Sequence, residues 1–415
     1  MLIGTAVEDI TPKTGIELSG FAVRKQPSDH IIDPLYCKVI YMEAQGIKYF
    51  WIQLDLIGVE AEFVQKVRLS LSFKFNIPAT NFIIAATHTH SGPGTLPLNY
   101  CGEYRPDFLL NLEKELENCC EKATENPDAC FPMFGKVPFE LAIDRRENDK
   151  KNVDPYLRYL AFLRPDKTAK AILWNYAMHP VCLRGTGISA DYPGIVCDEV
   201  SKNLPGKPLS VFGLGPCGNI NPPETGTSGQ LMKKWAIRIA QTLTGDVLNR
   251  LKDYKPSSDS LRFMHKNIKL NSTLLSPGAI DAYAKQYYTD DQGVKEFGPV
   301  FFKAVGKWAE NMKMTIRDQG SELPIEIFCL TIGDTKILGV SAEVFSTLVK
   351  LIDHNNNEQI MLITCVNGAQ GYLPDLQSYD TGGYETNTSC FFYNQLPPQE
   401  GSLEKVAYEL GKMLS

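Results

Sequence analysis

Short apolar segments that end in Gly or Pro alternate with longer amphipathic segments along most of the chain. Short segments rich in Val, Ile, Leu and aromatic residues are typical of β-strands. On this pattern we predict strands at 35–42, 49–56, 81–86, 156–164, 169–177, 209–213, 261–270, 325–332, 336–340 and 359–365.

Apolar residues spaced three and four apart predict helices between these strands, at 60–75, 105–123, 228–252 and 402–414. Pro106 suits a first helical turn, and Ser402 is a possible cap. The segment 271–320 has a largely helical pattern and is a candidate for a helical cap inserted over one side of a site. Alternating strands and helices predict an α/β fold with mixed sheets flanked by helices. Since no linker rich in Pro, Ser or Gly divides the chain, we expect one catalytic domain over 1–415.

The composition excludes several classes of protein. Of 415 residues, 43% are hydrophobic and 22% charged, which is ordinary globular usage rather than that of a disordered or collagen-like chain. No apolar run reaches the roughly 18 residues of a membrane-spanning helix. A net charge of −6 and the lack of a Lys/Arg cluster argue against nucleic acid as the main partner.

The cysteines and the first residues bear on the cellular compartment. The 11 cysteines are irregularly spaced and include no pair separated by two residues, which disfavours a cysteine zinc site. In a chain of this length we expect them to be buried, reduced and structural. No basic segment followed by an apolar one is visible at the start, so the expected location is cytoplasmic, or secreted if the start was trimmed.

Two of the six histidines form a pair with one residue between them. His88 and His90 follow the predicted strand 81–86 and precede a Gly-Pro-Gly turn. Alternate residues of an extended chain point to one face, so both imidazoles can converge on one ion or substrate. The carboxyl end of a strand is also where α/β sheets place their sites. Metal binding or catalysis is therefore favoured over a structural role.

A third histidine and a glycine-rich loop leave more alternatives open. His179 follows the predicted strand 169–177, and Asp191 comes shortly after it. They are equally consistent with a ligand and its base, and with a structural histidine. The loop 212–222 lacks the Lys-Ser/Thr ending of a phosphate loop. It is either an oxyanion-binding loop with Asn side chains or a structural turn.

Two later segments carry little signal by themselves. Glu343 lies just beyond the predicted strand 336–340, and composition alone predicts a solvated residue at the start of a helix. Tyr372 and Tyr384 lie in a segment rich in Gly and Tyr after the last predicted strand, and composition alone predicts packing or rim residues.

Taken in order along nearly the whole chain, these segments resemble the catalytic N-terminal domain of the neutral, non-lysosomal ceramidase family. The most specific segment is 87–94, which reads THTHSGPG. The resemblance also rests on Asp9-Ile10-Thr11-Pro12, Ile143-Asp144-Arg145, His179-Pro180, Gly218-Asn219-Ile220-Asn221-Pro222, Glu343 and the segment 372–385.

The resemblance implies one zinc ion held by two histidines, a glutamate and a tyrosine, which in this chain are His88, His179, Glu343 and Tyr372. Nitrogen and oxygen donors suit zinc, and coordination lowers the pKa of a phenol. The resemblance further implies that His90 contacts the substrate or moves a proton, that Arg145 holds developing negative charge, and that Tyr384 contacts the substrate.

Two departures from the family pattern bear on the reaction. Asn221 stands where the ceramidases have a serine, and Asn219 where they have an aspartate. An amide cannot replace a hydroxyl nucleophile, but it can donate to an oxyanion. The resemblance then implies attack by water that zinc activates, with His90 or Asp191 moving protons and with Asn221 and Arg145 steadying the intermediate. A nucleophilic Cys217 is less favoured, since buried thiols are usually structural.

The family's ceramidases carry a further immunoglobulin-like domain, for which we expect no room after the last helix of this chain. The leading function is a zinc-dependent hydrolase that cleaves an N-acyl amide, with ceramide, split into sphingosine and fatty acid, as the family default. One alternative is a zinc hydrolase of a small polar amide or ester. The other is a non-catalytic relative that binds a metal or ligand. The expected partner is a lipid or small-molecule N-acyl substrate.

Overall fold

The computed structural model describes residues 1–147, 149–256, 258–289, 291–352 and 359–414. Extended segments run through the whole chain. The strands are β1 Leu2–Asp9, β2 His30–Ile31, β3 Tyr36–Ala44, β4 Ile47–Leu54, β5 Phe82–Ala86, β6 Asp128–Ala129, β7 Phe131–Pro138, β8 Ile143–Asp144, β9 Tyr156–Leu163, β10 Ala169–Tyr176, β11 Gly187–Ile188, β12 Leu209–Leu214, β13 Ile220–Asn221, β14 Leu261–Asn271, β15 Glu322–Ile332, β16 Thr335–Val340, β17 Ala342–Val344, β18 Ile360–Thr364 and β19 Gln370–Leu373.

Helices connect many of these strands. They are α1 Ala61–Phe75, α2 Pro106–Glu125, α3 Asp191–Asn203, α4 Gly229–Arg250, α5 Pro277–Tyr287, α6 Asp291–Phe297, α7 Val300–Gln319, α8 Thr347–Ile352, α9 Leu376–Thr381, α10 Ser389–Tyr393 and α11 Ser402–Leu414. A 3₁₀ turn spans Ala79–Asn81, and a π-helical turn spans Tyr384–Thr388.

The longer strands form three sheets of the same design. Their strand orders are β5-β4-β3-β1-β6, β12-β10-β9-β7 and β14-β15-β16-β18. Each sheet is antiparallel except for one parallel pair at an edge, namely β4 with β5, β10 with β12 and β16 with β18. Short two-stranded ladders join β2 to β11, β8 to β13 and β17 to β19.

The three sheets share an inner core, so their central strands are buried on both faces. On β3, Ile40 and Met42 belong to a cluster that also holds Phe162 of the second sheet and Phe328 of the third. The alternate residue Val39 belongs instead to the cluster beneath α1 and α2. This burial on both faces explains why the strands appear in the sequence as nearly continuous apolar runs.

Helices cover the outer faces of the sheets. Helix α2 contacts β1 and β3, α3 contacts β12, and α4 contacts β7 and β9. Helix α11 contacts β14 and β15, while α5, α7 and α10 pack on one another beside the third sheet. The long helices α2, α4 and α11 each bury one apolar stripe, which is the amphipathic pattern that predicts them.

The predicted α/β class, with mixed sheets flanked by helices, is confirmed. All ten predicted strands and all four predicted helices are present, with ends that differ by a few residues. The segment 271–320 is largely helical, and its helices α5, α6 and α7 connect the neighbouring strands β14 and β15. Among the elements of eight residues or more, the prediction missed β1, β7 and α3; it also missed the short strands and short helices, including β17 and β19.

Strand ends from all three sheets meet at one place. Strand β12 contacts β4 and β5 of the first sheet and β18 of the third. His88 follows β5, His179 follows β10, Asn221 follows β12, and Glu343 follows β16. The histidines and the acidic and amide side chains singled out in the sequence therefore belong to one cluster of loops.

All eleven cysteines are buried, as the sequence predicts. Among the described residues, no helix combines the length and the apolar character needed to cross a membrane.

Candidate metal centre

Three imidazoles converge where the strands end. Ring nitrogens of His88, His90 and His179 all lie within 4.8 Å of one another. His88 and His179 are buried, and His90 is partly exposed. The predicted convergence of His88 and His90 is confirmed, and the structure adds His179 to the same cluster.

Backbone carbonyls orient two of these rings. The Nδ1 of His88 donates to the carbonyl of Ile57 at 2.6 Å, and the Nδ1 of His179 donates to the carbonyl of Cys217 at 2.8 Å. A carbonyl can only accept, so in each neutral ring the hydrogen lies on Nδ1. The Nε2 lone pairs of His88 and His179 therefore face the cluster, that of His88 at 3.4 Å from Nε2 of His90, which is the usual arrangement for metal-binding histidines.

A buried carboxylate lies against both of these nitrogens. The Oε2 of Glu343 lies 3.3 Å from the Nε2 of His88 and 3.2 Å from the Nε2 of His179. Neither oxygen of Glu343 has a hydrogen-bond partner, and the Nε2 of His179 has none either. Unpaired buried polar atoms are costly, and a divalent cation among these nitrogen and oxygen donors would satisfy them. The residues present therefore fit a metal ion.

Composition alone places Glu343 on the surface at the start of a helix, and that prediction is wrong. Glu343 is 1% exposed and lies in strand β17, which pairs with β19 inside the fold. In this parallel ladder Glu343 is paired with Tyr372, so the two side chains lie beside each other. The ring of Tyr372 stacks at 6.5 Å from that of His179. The four residues to which the resemblance assigns zinc lie together, although their role as ligands stays a prediction.

The protonation of the cluster follows from its burial and its charges. Burial lowers the pKa of His179, and burial with the neighbouring His88 holds the pKa of His90 well below its ordinary value. Burial acts against a charged His88, but the carboxylate of Glu343 outweighs it and raises the pKa of His88. Burial and the charge of Glu343 raise the pKa of Tyr372 well above 10. A cation at this position would favour the phenolate and so reverse that shift.

The backbone is strained at the first histidine. His88 has a φ of +67°, in the left-handed region that a residue with a Cβ rarely adopts. Such a conformation costs on the order of 1–3 kcal/mol and persists only where the surroundings enforce it. Here the amide of His88 donates to the carbonyl of Leu56 at 2.9 Å. Backbone strain of this kind concentrates at functional sites, which supports a role for His88 beyond packing.

A cavity of about 810 Å³ opens onto the cluster. Its lining includes His90, His179, Asn221 and Tyr372. The remaining wall combines aromatic side chains with charged ones, among them Phe21, Phe297, Tyr384, Phe392, Arg145, Arg146, Arg184, Glu147 and Glu296. Both the volume and the convergent polar groups are typical of small-molecule sites. Two of these residues, Glu296 and Phe297, come from the predicted cap segment, whose role as a cap stays a prediction.

Arg145 is held beneath the cavity by a carboxylate that the sequence prediction missed. Glu385 is 4% exposed and accepts from Nε of Arg145 at 2.8 Å and from Arg146 at 2.7 Å. Arg145 also donates to the carbonyl of Gly218 at 2.7 Å, and its guanidinium carbon lies 5.5 Å from the ring centre of Tyr372. The adjacent Arg145 and Arg146 could have indicated this carboxylate in the sequence, because two partly buried arginines need an acidic partner to balance their charge.

Tyr384 faces the predicted tyrosine ligand. The two rings pack edge to face, with centres 5.6 Å apart, and Tyr384 lines the cavity. It begins the π-helical turn that also carries Glu385. Such turns are rare and are frequent at functional sites. The position suits the predicted contact with substrate, which remains a prediction.

The two asparagines of the glycine-rich loop have different environments. Asn221 lines the cavity, where its Oδ1 is buried without a hydrogen-bond partner and its Nδ2 lies 3.4 Å from the hydroxyl of Thr225. Asn219 points into the fold instead, donating to Asp144 and accepting from the amide of Ser346, both at 2.9 Å. Of the two, only Asn221 is in a position to contact a substrate.

The remaining candidates, Asp191 and Cys217, are buried and do not line the cavity. Asp191 is fully buried, and its carboxylate accepts from the amides of Leu183 at 3.0 Å and Tyr192 at 2.7 Å. Burial raises the pKa of Asp191 to about 6, but the residue is not among those that line the cavity. Burial also raises the pKa of the Cys217 thiol well above its ordinary value, which disfavours a thiolate nucleophile. Of the proposed proton carriers, His90 is the one at the cavity.

Two solved structures are similar to this chain over almost its whole length. The neutral ceramidase from Pseudomonas aeruginosa matches with a TM-score of 0.75 and 16% identity, covering 99% of this chain and 73% of that one. A structure described as a ceramidase complexed with C2 matches with a TM-score of 0.73 and 13% identity, covering 99% and 74%. No family model and no curated protein matches the chain. The resemblance seen in the sequence is thus confirmed at the level of the fold, and this chain has the fold of the neutral ceramidases.

Proposed function

We propose that this protein is a zinc-dependent hydrolase that cleaves the amide bond of an N-acyl compound. The observation that carries the proposal is the convergence of three buried donor atoms, Nε2 of His88, Nε2 of His179 and Oε2 of Glu343, beside a cavity of about 810 Å³. The two nitrogens are directed by carbonyls, and the carboxylate has no hydrogen-bond donor. In a fold shared with ceramidases, a metal centre explains this arrangement better than packing does.

His88, His179, Glu343 and Tyr372 would hold the ion. Zinc at this position would supply a Lewis acid able to polarise the substrate carbonyl and to activate water. Tyr372 would complete the set, and its pairing with Glu343 in the ladder between β17 and β19 supports this assignment. His90 is assigned a different role because it is the histidine of the cluster with partial exposure, and its Nδ1 has no hydrogen-bond partner.

The remaining side chains would handle the substrate. His90 lines the cavity and has a ring nitrogen without a hydrogen-bond partner, so it can accept a proton from water and pass it to the leaving amine. The amide of Asn221 can donate to the carbonyl oxygen as negative charge develops there. Arg145, fixed by Glu385, contributes a positive charge behind Tyr372. Tyr384 provides an aromatic surface for the substrate.

The structural neighbours favour a lipid amide such as ceramide as the substrate class. The charged lining supports a second candidate, an amide or ester with a polar group. Arg145, Arg146, Arg184, Glu147 and Glu296 all line the cavity, so the wall is far from uniformly apolar. A polar wall accommodates a polar substrate without leaving its own charges unpaired.

Metal analysis and hydrolysis on matched variants test the proposal. We expect about one zinc ion per chain in the wild type and none in His179→Ala, since removing one ligand of a tetrahedral site leaves too few donors. His265→Ala is the control, because His265 is an exposed histidine on β14 and should leave the metal content unchanged. Fatty-acid release is measured with ceramide and with a soluble N-acyl amide. We expect release by the proteins that hold zinc, the wild type and His265→Ala, and none by His179→Ala.

The outcomes separate the candidates. Release from ceramide supports the lipid substrate, and release from the soluble amide alone supports the polar one. Zinc without any hydrolysis would favour a non-catalytic relative. A wild type purified without chelator and found to hold no metal would refute the metal mechanism.

A further inference from the structure

One wall of the cavity carries positive charge without a matching carboxylate. Arg184 lines the cavity, is exposed, and makes no hydrogen bond or ion pair with any residue that the structure describes. Its side chain packs against Gly226, whose φ of +72° and missing Cβ allow the close approach. The guanidinium is therefore positioned by packing and is free to bind a ligand.

A second arginine lies behind it. Arg24 is partly buried and donates to the carbonyls of Ser19 at 3.1 Å and His90 at 2.9 Å, which are both uncharged. Its Nε is buried without a hydrogen-bond partner. Arg24 thus connects this wall directly to His90, the residue to which we assign proton transfer.

Phe21 connects the two arginines. The guanidinium carbons of Arg24 and Arg184 lie 5.0 Å and 5.1 Å from the centre of its ring. The same ring lies 4.9 Å from the ring of His90. Burial and the positive charge of Arg184 lower the pKa of Arg24 to about 10. Two like charges are therefore close together, near the proposed reaction centre.

The carboxylates of the cavity do not neutralise this wall. Glu385 is taken up by Arg145 and Arg146. Glu147 and Glu296 also line the cavity, but among the residues that the structure describes no carboxylate lies within ion-pair distance of Arg184. A pair of cations without a counter-charge is destabilising by itself and attracts an anion.

We propose that Phe21, Arg24 and Arg184 form a subsite for an oxyanion group of the substrate, a carboxylate or a phosphate. Arg184 would contact the anion directly, Arg24 would add its charge from behind, and the face of Phe21 would cover the adjoining apolar atoms. This inference rests on the proposed function, and it narrows the substrate to N-acyl compounds that carry a negative charge. Ceramide, which is neutral, would leave the subsite empty.

Binding of probes that cannot be hydrolysed tests the subsite directly. The probes are octyloxyacetate, octyl phosphate and the neutral 2-octyloxyethanol, which share an alkyl chain and contain no amide. Dissociation constants are measured by calorimetry on the full chain as purified, for the wild type, Arg184→Gln and Arg262→Gln. Arg262 is an exposed arginine on β14 and serves as the matched control.

We expect at least one anionic probe to bind the wild type and Arg262→Gln about tenfold more tightly than the neutral probe. Arg184→Gln should lose most of that preference. The anionic probe that the wild type binds more tightly shows whether the subsite takes a carboxylate or a phosphate. Equal affinities for the three probes, or no binding, would overturn the inference. A preference that survives in Arg184→Gln would also overturn it, because the anion would then bind elsewhere in the cavity.

The test is independent of hydrolysis. A charge preference that depends on Arg184, in a protein that hydrolyses no amide, would keep the subsite and reject the proposed function. Hydrolysis of neutral amides by a protein that shows no preference for anionic probes would keep the proposed function and reject the subsite.

Discussion

Replacing Glu385 with glutamine tests how the charged layer beneath the cavity is held together. Glu385 receives hydrogen bonds from Arg145 and Arg146 and is 4% exposed. Glutamine has nearly the same shape and can accept one of these bonds, but it carries no charge. The substitution therefore leaves two arginines without their shared carboxylate.

The cost can be estimated from the burial of the partners. Removing one member of a buried ion pair costs about 3–5 kcal/mol. The side chains of Arg145 and Arg146 are 23% and 14% exposed, and both keep hydrogen bonds to backbone carbonyls. We therefore expect the free energy of unfolding to fall by about 3 kcal/mol, at the lower end of that range. For a chain of 415 residues this corresponds to a melting temperature about 3 °C lower.

Thermal unfolding and hydrolysis, measured on the same preparations, provide the assay. The control is Glu409→Gln, because Glu409 also has two cationic partners, Lys266 and Lys412, but both lysine side chains are about half exposed and keep their contact with water. Glu409→Gln should leave both stability and hydrolysis unchanged. Glu385→Gln should also lower hydrolysis at temperatures where the protein is folded, since Arg145 loses its orientation behind Tyr372. Equal melting temperatures for the two variants would refute the reasoning.

The pH dependence gives a second check on Glu385. Burial acts to raise its pKa, but the charge of Arg145 outweighs it, so the pKa of Glu385 lies below 4.5 in the folded protein. A depressed carboxyl pKa stabilises the fold above the unfolded pKa, and that contribution is lost as the pH falls through the folded value. The stability difference between wild type and Glu385→Gln should be complete at pH 7 and should shrink below about pH 4.5.

Three further predictions concern the metal and the reaction. After removal of metal with a chelator, adding zinc to about 100 times its dissociation constant should stabilise the protein by about 2.7 kcal/mol, but should not stabilise His179→Ala; an equal response of both would contradict the ligand assignment. Asn221→Ala should lower kcat about 100-fold with the zinc content unchanged, as expected for the loss of one oxyanion donor. An unaltered kcat would show that Asn221 takes no part. Cys217→Ala should keep hydrolysis close to wild type, because the carbonyl of Cys217, and not its thiol, contacts His179; loss of activity in folded protein would restore the thiol as a candidate.

Local sequence pattern predicts the core elements because their apolar character is nearly continuous. It misses β7, which contains Pro132 and Pro138 and lies at the edge of its sheet, where proline is tolerated. It misses α3 because the helix begins with Asp-Tyr-Pro-Gly, a combination that is typical of a turn. The pairing of three sheets around one core cannot be predicted from local pattern, since it depends on contacts between strands far apart in the chain.

The residues of the candidate site also divide into those that local pattern predicts and those whose position depends on contacts between distant segments. His88 and His90 could be predicted from spacing alone, because alternate residues of one extended segment share a face. Glu343 could be predicted only from the family resemblance, since its burial depends on the ladder between β17 and β19. Glu385 escaped both approaches, because its function is to neutralise two arginines that lie more than 200 residues earlier in the chain.

The two asparagines that depart from the family pattern have different physical explanations. The amide of Asn219 donates to Asp144 at 2.9 Å, where an aspartate would place two carboxylates in contact. Its oxygen also accepts from the amide of Ser346, so Asn219 fixes the loop whose Cys217 carbonyl orients His179. That departure concerns the loop that supports the candidate metal centre, and it removes none of the proposed donors. Asn221 lines the cavity with an unpaired oxygen, so any change in substrate or mechanism relative to ceramidases is expected at that position.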